Sequence, residues 1–112
     1  MQALLKEDFG LDMELPLDRL CPAVPQKLNY IHWLEDLLAL SPTCHAEQQV
    51  RGIDVGTGAS CIYPLLAVAM HPRWAFVATE VDTRSMACAS RNVALNGMQV
   101  SHHPRGHRHP LR

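Results

Sequence analysis

An α/β fold with neighbouring parallel strands is what this sequence predicts, and three observations carry the prediction. Residues 51–55, Arg-Gly-Ile-Asp-Val, form a run of strand length that ends in the glycine turn Gly56-Thr57-Gly58. Trp74 to Thr79 is a second such run, ending at Glu80. Each is followed by a segment with helical spacing, so residues 51–97 read as one β-α-β-α unit, whose right-handed crossover makes the two strands parallel neighbours.

The elements follow in order. Leu4, Leu5 and Phe9 share one side of a helix over residues 1–9, with Gly10 placed as a C-cap glycine. Leu11-Asp12-Met13-Glu14-Leu15 alternates apolar and acidic residues, the pattern of a short half-exposed strand, and Pro16, Pro22 and Pro25 then punctuate an irregular stretch. From Gln26 to Leu40 the residues Leu28, Ile31, Leu34 and Leu38, with Tyr30, Trp33 and Leu37, recur at three- and four-residue steps and predict a helix with a broad apolar face. Ser41 to Gln49 is a polar connection. A helix from about Ser60 to Met70 tolerates Pro64, because the missing N–H costs nothing in a first turn. Asp82 or Thr83 caps a further helix that runs to about Leu95, where Asn96-Gly97 ends it. Residues 101–112 hold four His and three Arg with neither period, and are expected to form a disordered tail beyond a domain at residues 1–100.

Composition limits the function. A chain of 112 residues, 47% apolar, suffices for one modest core. No stretch reaches the ~20 apolar residues of a membrane span, and Met1 to Asp8 lacks the pattern of a signal peptide, so a soluble intracellular protein is expected. Cys21, Cys44, Cys61 and Cys88 have no zinc or redox spacing and read as free thiols of a reducing compartment. The net charge of −1 is uneven: residues 1–100 carry seven Lys or Arg against eleven Asp or Glu. Such an acidic body lacks the phosphate-gripping surface of a self-sufficient nucleic-acid binder.

The glycine turn is the feature that points to a ligand. Glycines a single position apart let the backbone pass close to a bound group, and the following helix offers unpaired N–H groups. The order Asp54-x-Gly56-x-Gly58 is the arrangement by which Rossmann-like methyltransferases seat S-adenosylmethionine; a dinucleotide fingerprint would place a third glycine at position 61, which is Cys. Glu80, 22 residues beyond Gly58, is placed to accept from both hydroxyls of a ribose. Ser60 either caps the helix or touches a ligand carboxylate. The tail histidines lack Cys or acidic co-ligands, so no metal site is expected; His32 and His71 are each isolated and read as packed or hydrogen-bonded residues, and Cys61 as a packed one.

The wording of the residues adds a resemblance. Arg51-Gly52-Ile53-Asp54-Val55-Gly56-Thr57-Gly58-Ala59-Ser60-Cys61-Ile62-Tyr63-Pro64-Leu65 closely resembles the cofactor motif of the methyltransferase-like protein 16 family of RNA adenine-N6 methyltransferases. Lys6 to Leu11, Leu28 to Trp33 and Ala78 to Asp82 look like the same family, over residues 1 to about 98. The resemblance implies part of a Rossmann-like (class I) S-adenosylmethionine-dependent methyltransferase fold, S-adenosylmethionine as cofactor, structured RNA including U6 small nuclear RNA as partner, and a nuclear or cytoplasmic location. It places Gly56, Ser60 and Glu80 against the cofactor. Lys27 falls where the family typically has a cofactor-contacting Arg, so the charge is kept and the bidentate fork is lost.

Departures from the family pattern are equally informative. The catalytic tetrapeptide Asn-Pro-Pro-Phe, which positions the target amino group, does not occur in these 112 residues, and the basic RNA-gripping segment would lie before Met1. The resemblance fades after Asn96. The expectation is a truncated, cofactor-binding half that is catalytically silent alone. Two alternatives stand beside it: a non-catalytic module that binds cofactor or a partner chain through an exposed sheet edge, and a nicotinamide-dependent oxidoreductase, which Glu80 permits and Cys61 argues against.

Overall fold

The structure is a computed structural model that describes residues 2–16, 23–42, 49–98 and 100–103. Its elements are α1 (Gln2–Phe9), α2 (Val24–Ala39), β1 (Arg51–Val55), α3 (Ile62–Met70), β2 (Ala75–Thr79), α4 (Thr83–Leu95) and β3 (Val100–His103). Gly10 ends α1 with φ +66°, and Pro25 sits in the first turn of α2, where its lost N–H has no intrahelical acceptor to miss. The Asp82 carboxylate accepts from Ser85 N at 2.9 Å and caps α4; Asn96 and Gly97, the latter at φ +60°, close it.

The sheet has the order β1-β2-β3, parallel throughout, with Gly52 opposite Phe76 and Val77 opposite Ser101. The amide of Ala75 donates to Val50 O at 2.8 Å and that of Thr57 to Thr79 O at 2.8 Å, so the β1–β2 pairing runs past both strand ends. Because the order advances in one direction, right-handed crossovers put α3 and α4 on the same face of the sheet. Burial follows from this. Ala78 is fully buried beneath the helices with Leu65, Leu66, Ala89 and Val93, whereas Ile53 and Val55, whose side chains alternate to the other face, are 54% and 82% exposed. Gly52 is needed on the covered face: a Cβ there would lie 2.8 Å from Phe76 Cδ1, so the ring occupies the space that the glycine leaves.

Two expectations are corrected. Leu11 to Leu15 is extended, with Leu11 and Met13 buried as the alternation requires, but it is not a strand of the sheet. The backbone groups of Asp12 and Glu14 bond instead to the side chains of Asn92 on α4 and of Asn96 at its C-cap. Asn96 accepts from Asp12 N at 2.7 Å and donates to Asp12 O at 2.7 Å, while Asn92 accepts from Glu14 N at 2.7 Å and donates to Glu14 O at 2.9 Å. Four residues of helix advance about 6.0 Å and two residues of extended chain about 6.6 Å, so asparagines at i and i+4 match alternate residues of the segment. Second, residues 101–103 belong to β3, since backbone pairing on the free edge of β2 needs no apolar pattern. The rest of the expected tail, residues 104–112, and Cys21, Cys44 and Pro22 lie outside the described residues.

Candidate cofactor site

The turn between β1 and α3 is shaped by two glycines in the left-handed region, Gly56 and Gly58, both at φ +74°, and neither has an atom within 4 Å of where a Cβ would stand. Only glycine adopts this conformation without strain, and it leaves the backbone bare. The turn is tied to the end of β2. Gly58 N donates to Glu80 Oε1 at 3.0 Å, Gly56 N reaches Thr79 Oγ1 at 3.4 Å, and Asp82 N donates to Glu80 Oε2 at 2.9 Å. Each Glu80 oxygen thus holds one backbone N–H and keeps a second lone-pair site. The expected spacing between glycine turn and carboxylate is a direct contact.

Ser60 is buried at 8% exposure and stands one residue before the N-cap, which is Cys61 and makes no side-chain cap bond. Helix capping by Ser60, one of its two expected roles, is therefore excluded. Cys61 adopts φ +53°, the region that favours glycine, with its side chain fully buried. Burial pushes its thiol up to about 11, opposed by the Thr57 hydroxyl and assisted by the Asp54 charge, in keeping with a packed cysteine.

Lys27 arrives from the first turn of α2. Its Nζ donates to Tyr63 Oη at 3.2 Å and lies 4.9 Å from the Tyr63 ring centroid. Burial raises the Asp54 carboxyl above its usual range, while the Thr57 hydroxyl and the Lys27 ammonium pull it back. Asp54 Oδ2 and Thr57 Oγ1 are nonetheless buried without a well-aligned hydrogen-bond partner. Lys27 therefore acts on the end of β1 through its charge on Asp54, and no hydrogen bond among the described residues joins it to Gly56, Ser60 or Glu80. His32 and His71 are not isolated: Glu35 stands 2.7 Å from His32 Nδ1 and 3.2 Å from His71 Nε2, the second out of line for a hydrogen bond, and His71 stacks on Trp74.

Asn92 and Thr79 were missed at the level of sequence. Asn92 is fully buried, and besides Glu14 it donates to Ala59 O in the turn at 3.1 Å. The signal available was a lone amide on the stripe Ser85, Cys88, Ala89, Asn92 and Val93, which α4 buries. A cavity of about 860 Å³ lies at the opposite ends of the strands by Gln49, Arg73 and Gly97, and has no part in this site. A groove of about 320 Å³ between α2 and β1 reaches Asp54 and Tyr63. Among the described residues no group of three His, Cys, Asp or Glu is placed to hold a metal, and no helix is long and apolar enough to cross a membrane.

Parallel strands, a left-handed glycine turn and a carboxylate bonded to that turn from the next strand end define a partial Rossmann-like fold of the class I methyltransferase kind. A sequence model of a family described as RNA methyltransferase matches residues 1–109, and the chain belongs to this family. The match continues past Asn96, after which the resemblance had been expected to fade, and it removes the nicotinamide alternative. The chain is 54% identical over 97 residues to the RNA N(6)-adenosine-methyltransferase METTL16 of Gallus gallus, covering 85% of this chain and 17% of the relative. It is 47% identical over 100 residues to the U6 small nuclear RNA (adenine-(43)-N(6))-methyltransferase of Caenorhabditis elegans, covering 89% of this chain and 20% of the relative. The solved N-terminal domain of human METTL16 in complex with SAH superposes with a TM-score of 0.80 at 46% identity, covering 95% of this chain and 42% of that one. The chain thus spans about a fifth or less of the length of these curated relatives.

Proposed function

We propose that this chain supplies the donor-binding part of an S-adenosylmethionine-dependent RNA adenine-N6 methyltransferase, with Lys27, Gly56, Ser60 and Glu80 as the cofactor contacts. The observation that carries the reading is the 3.0 Å bond from Gly58 N to Glu80 Oε1, which sets a ribose-type acceptor pair beside a bare glycine turn. The residues suit the group. The free lone pairs of Glu80 accept from a vicinal diol, the Cβ-free turn admits close approach, and the Lys27 ammonium complements a carboxylate at the other end of the ligand. When bound, the cofactor supplies a methyl group on a sulfonium. What this chain contributes is orientation, and the holding of an adenine amino group belongs to an Asn-Pro-Pro-Phe element that its 112 residues do not contain.

The acceptor in the intact enzyme is structured RNA, U6 small nuclear RNA included, and the location is nuclear or cytoplasmic; the names of the relatives support the acceptor class. Ultraviolet cross-linking of tritiated S-adenosylmethionine, with the labelled peptide mapped, tests the site. Label is expected in the peptide that holds Lys27 or in peptides from the 51–65 or 80–82 regions, with no transfer to a U6-like hairpin by this chain alone. Label confined to other peptides, or turnover into adenine, overturns the respective part of the reading.

A second reading, a non-catalytic module that pairs through its sheet edge, has one observation in its favour: β1 is an edge strand, with no further strand beside it among the described residues. Sedimentation equilibrium checks it, since a self-associating or partner-bound β1 edge would be dispersed by Val55→Lys.

A further inference from the structure

We infer that Asn92 is a positioning residue for the donor site, locking the glycine turn to the N-terminal segment through one buried side-chain amide. The inference rests on reading that turn as the cofactor seat. Its Oδ1 accepts from Glu14 N at 2.7 Å, and its Nδ2 donates to Glu14 O at 2.9 Å and to Ala59 O at 3.1 Å. The amide is fully enclosed, so no water replaces a lost partner.

The bond to Ala59 has a directional consequence. No peptide among the described residues is cis, and in a trans peptide the carbonyl and the following N–H point in opposite directions. Holding the Ala59 carbonyl toward α4 therefore turns the Ser60 N–H away from α4. Gly58 on one side is held by Glu80 and Ala59 on the other by Asn92, so the turn is fixed from β2 and from α4 together. Asn96 provides an internal comparison. It makes the same pair of bonds to the backbone of Asp12 and none to the turn, so it staples the same segment without touching the site.

The two asparagines therefore separate positioning from stability. Asn92→Asp keeps the acceptor for Glu14 N and loses both donors; Asn92→Ser is made beside it so that one folded variant suffices, and Asn96→Ala is the control. Amide hydrogen exchange without ligand is read over residues 57–61, and S-adenosylhomocysteine affinity by calorimetry. The expected result is faster exchange in the turn and affinity weakened about tenfold in the Asn92 variant, with Asn96→Ala lowering thermal stability but leaving both readouts within about twofold of the parent. Equal turn exchange in the two variants overturns the inference, as does unchanged affinity in the Asn92 variant. If the parent binds no S-adenosylhomocysteine while the exchange contrast holds, the cofactor reading fails and the hold of Asn92 on the turn stands.

Discussion

Gly58 and Glu80, 22 positions apart, meet through a 3.0 Å hydrogen bond in which a backbone amide of the β1–α3 turn donates to the carboxylate at the end of β2. The bond joins the two halves of the proposed donor site before any ligand arrives. It also assigns Glu80 two tasks, since a side chain that would face a ribose is used to hold the turn that would face the rest of the ligand. Thr79 adds to the same clasp through Thr57 N at 2.8 Å and Gly56 N at 3.4 Å.

Two glycines are expected to fail for different reasons. Gly58→Ala meets no atom within 4 Å, so its cost is the left-handed backbone alone, about 1–2 kcal/mol in urea denaturation. Gly52→Ala drives a methyl into the Phe76 ring, and overpacking of this kind costs about 1–3 kcal/mol. Combining it with Phe76→Leu gives less than the sum of the single losses, whereas Gly58→Ala with Phe76→Leu adds.

Much of this architecture was legible in the residues. The glycine turn and Glu80 were readable because chain geometry alone places strand ends of one β-α-β unit side by side. The segment Leu11 to Leu15 was read correctly in its alternation and wrongly as a strand, since side-chain amides of Asn92 and Asn96 supply the hydrogen bonds that a neighbouring strand would. β3 escaped notice because Val100-Ser101-His102-His103 pairs through backbone groups, which carry no residue signature. The exclusion of Ser60 as a cap was not legible either: the helix starts one residue later because Cys61 takes a left-handed φ, a conformation that sequence assigns to glycine.

The raised pKa of Asp54 sets a pH dependence. Its folded pKa lies above the value in the unfolded chain because burial disfavours the charge, so the folded state binds the extra proton. Stability is therefore greatest below the unfolded value of 3.8 with respect to this group, and is lost as pH rises through the folded pKa. Asp54→Asn removes that component. Urea denaturation is expected to show the variant gaining on the parent between pH 4 and pH 7; a difference that is constant or shrinks with rising pH would be inconsistent with a desolvated carboxylate.

Cys61 is expected to be inert in the native chain. With its thiol at about 11, only about one molecule in a thousand is thiolate at pH 8, and the sulfur is fully buried. Iodoacetamide labelling followed by peptide mass spectrometry should modify Cys61 in urea and leave it untouched without denaturant. Rapid native labelling would mean that the helix start opens readily.

Titration calorimetry of S-adenosylhomocysteine into the purified chain and into Glu80→Ala tests the central claim most directly. The account predicts weak, saturable one-to-one binding by the parent, and its loss in Glu80→Ala, because the substitution removes both the ribose acceptors and the clasp on Gly58. Equal binding by both proteins, or none by the parent in a sample shown to be folded, would contradict it.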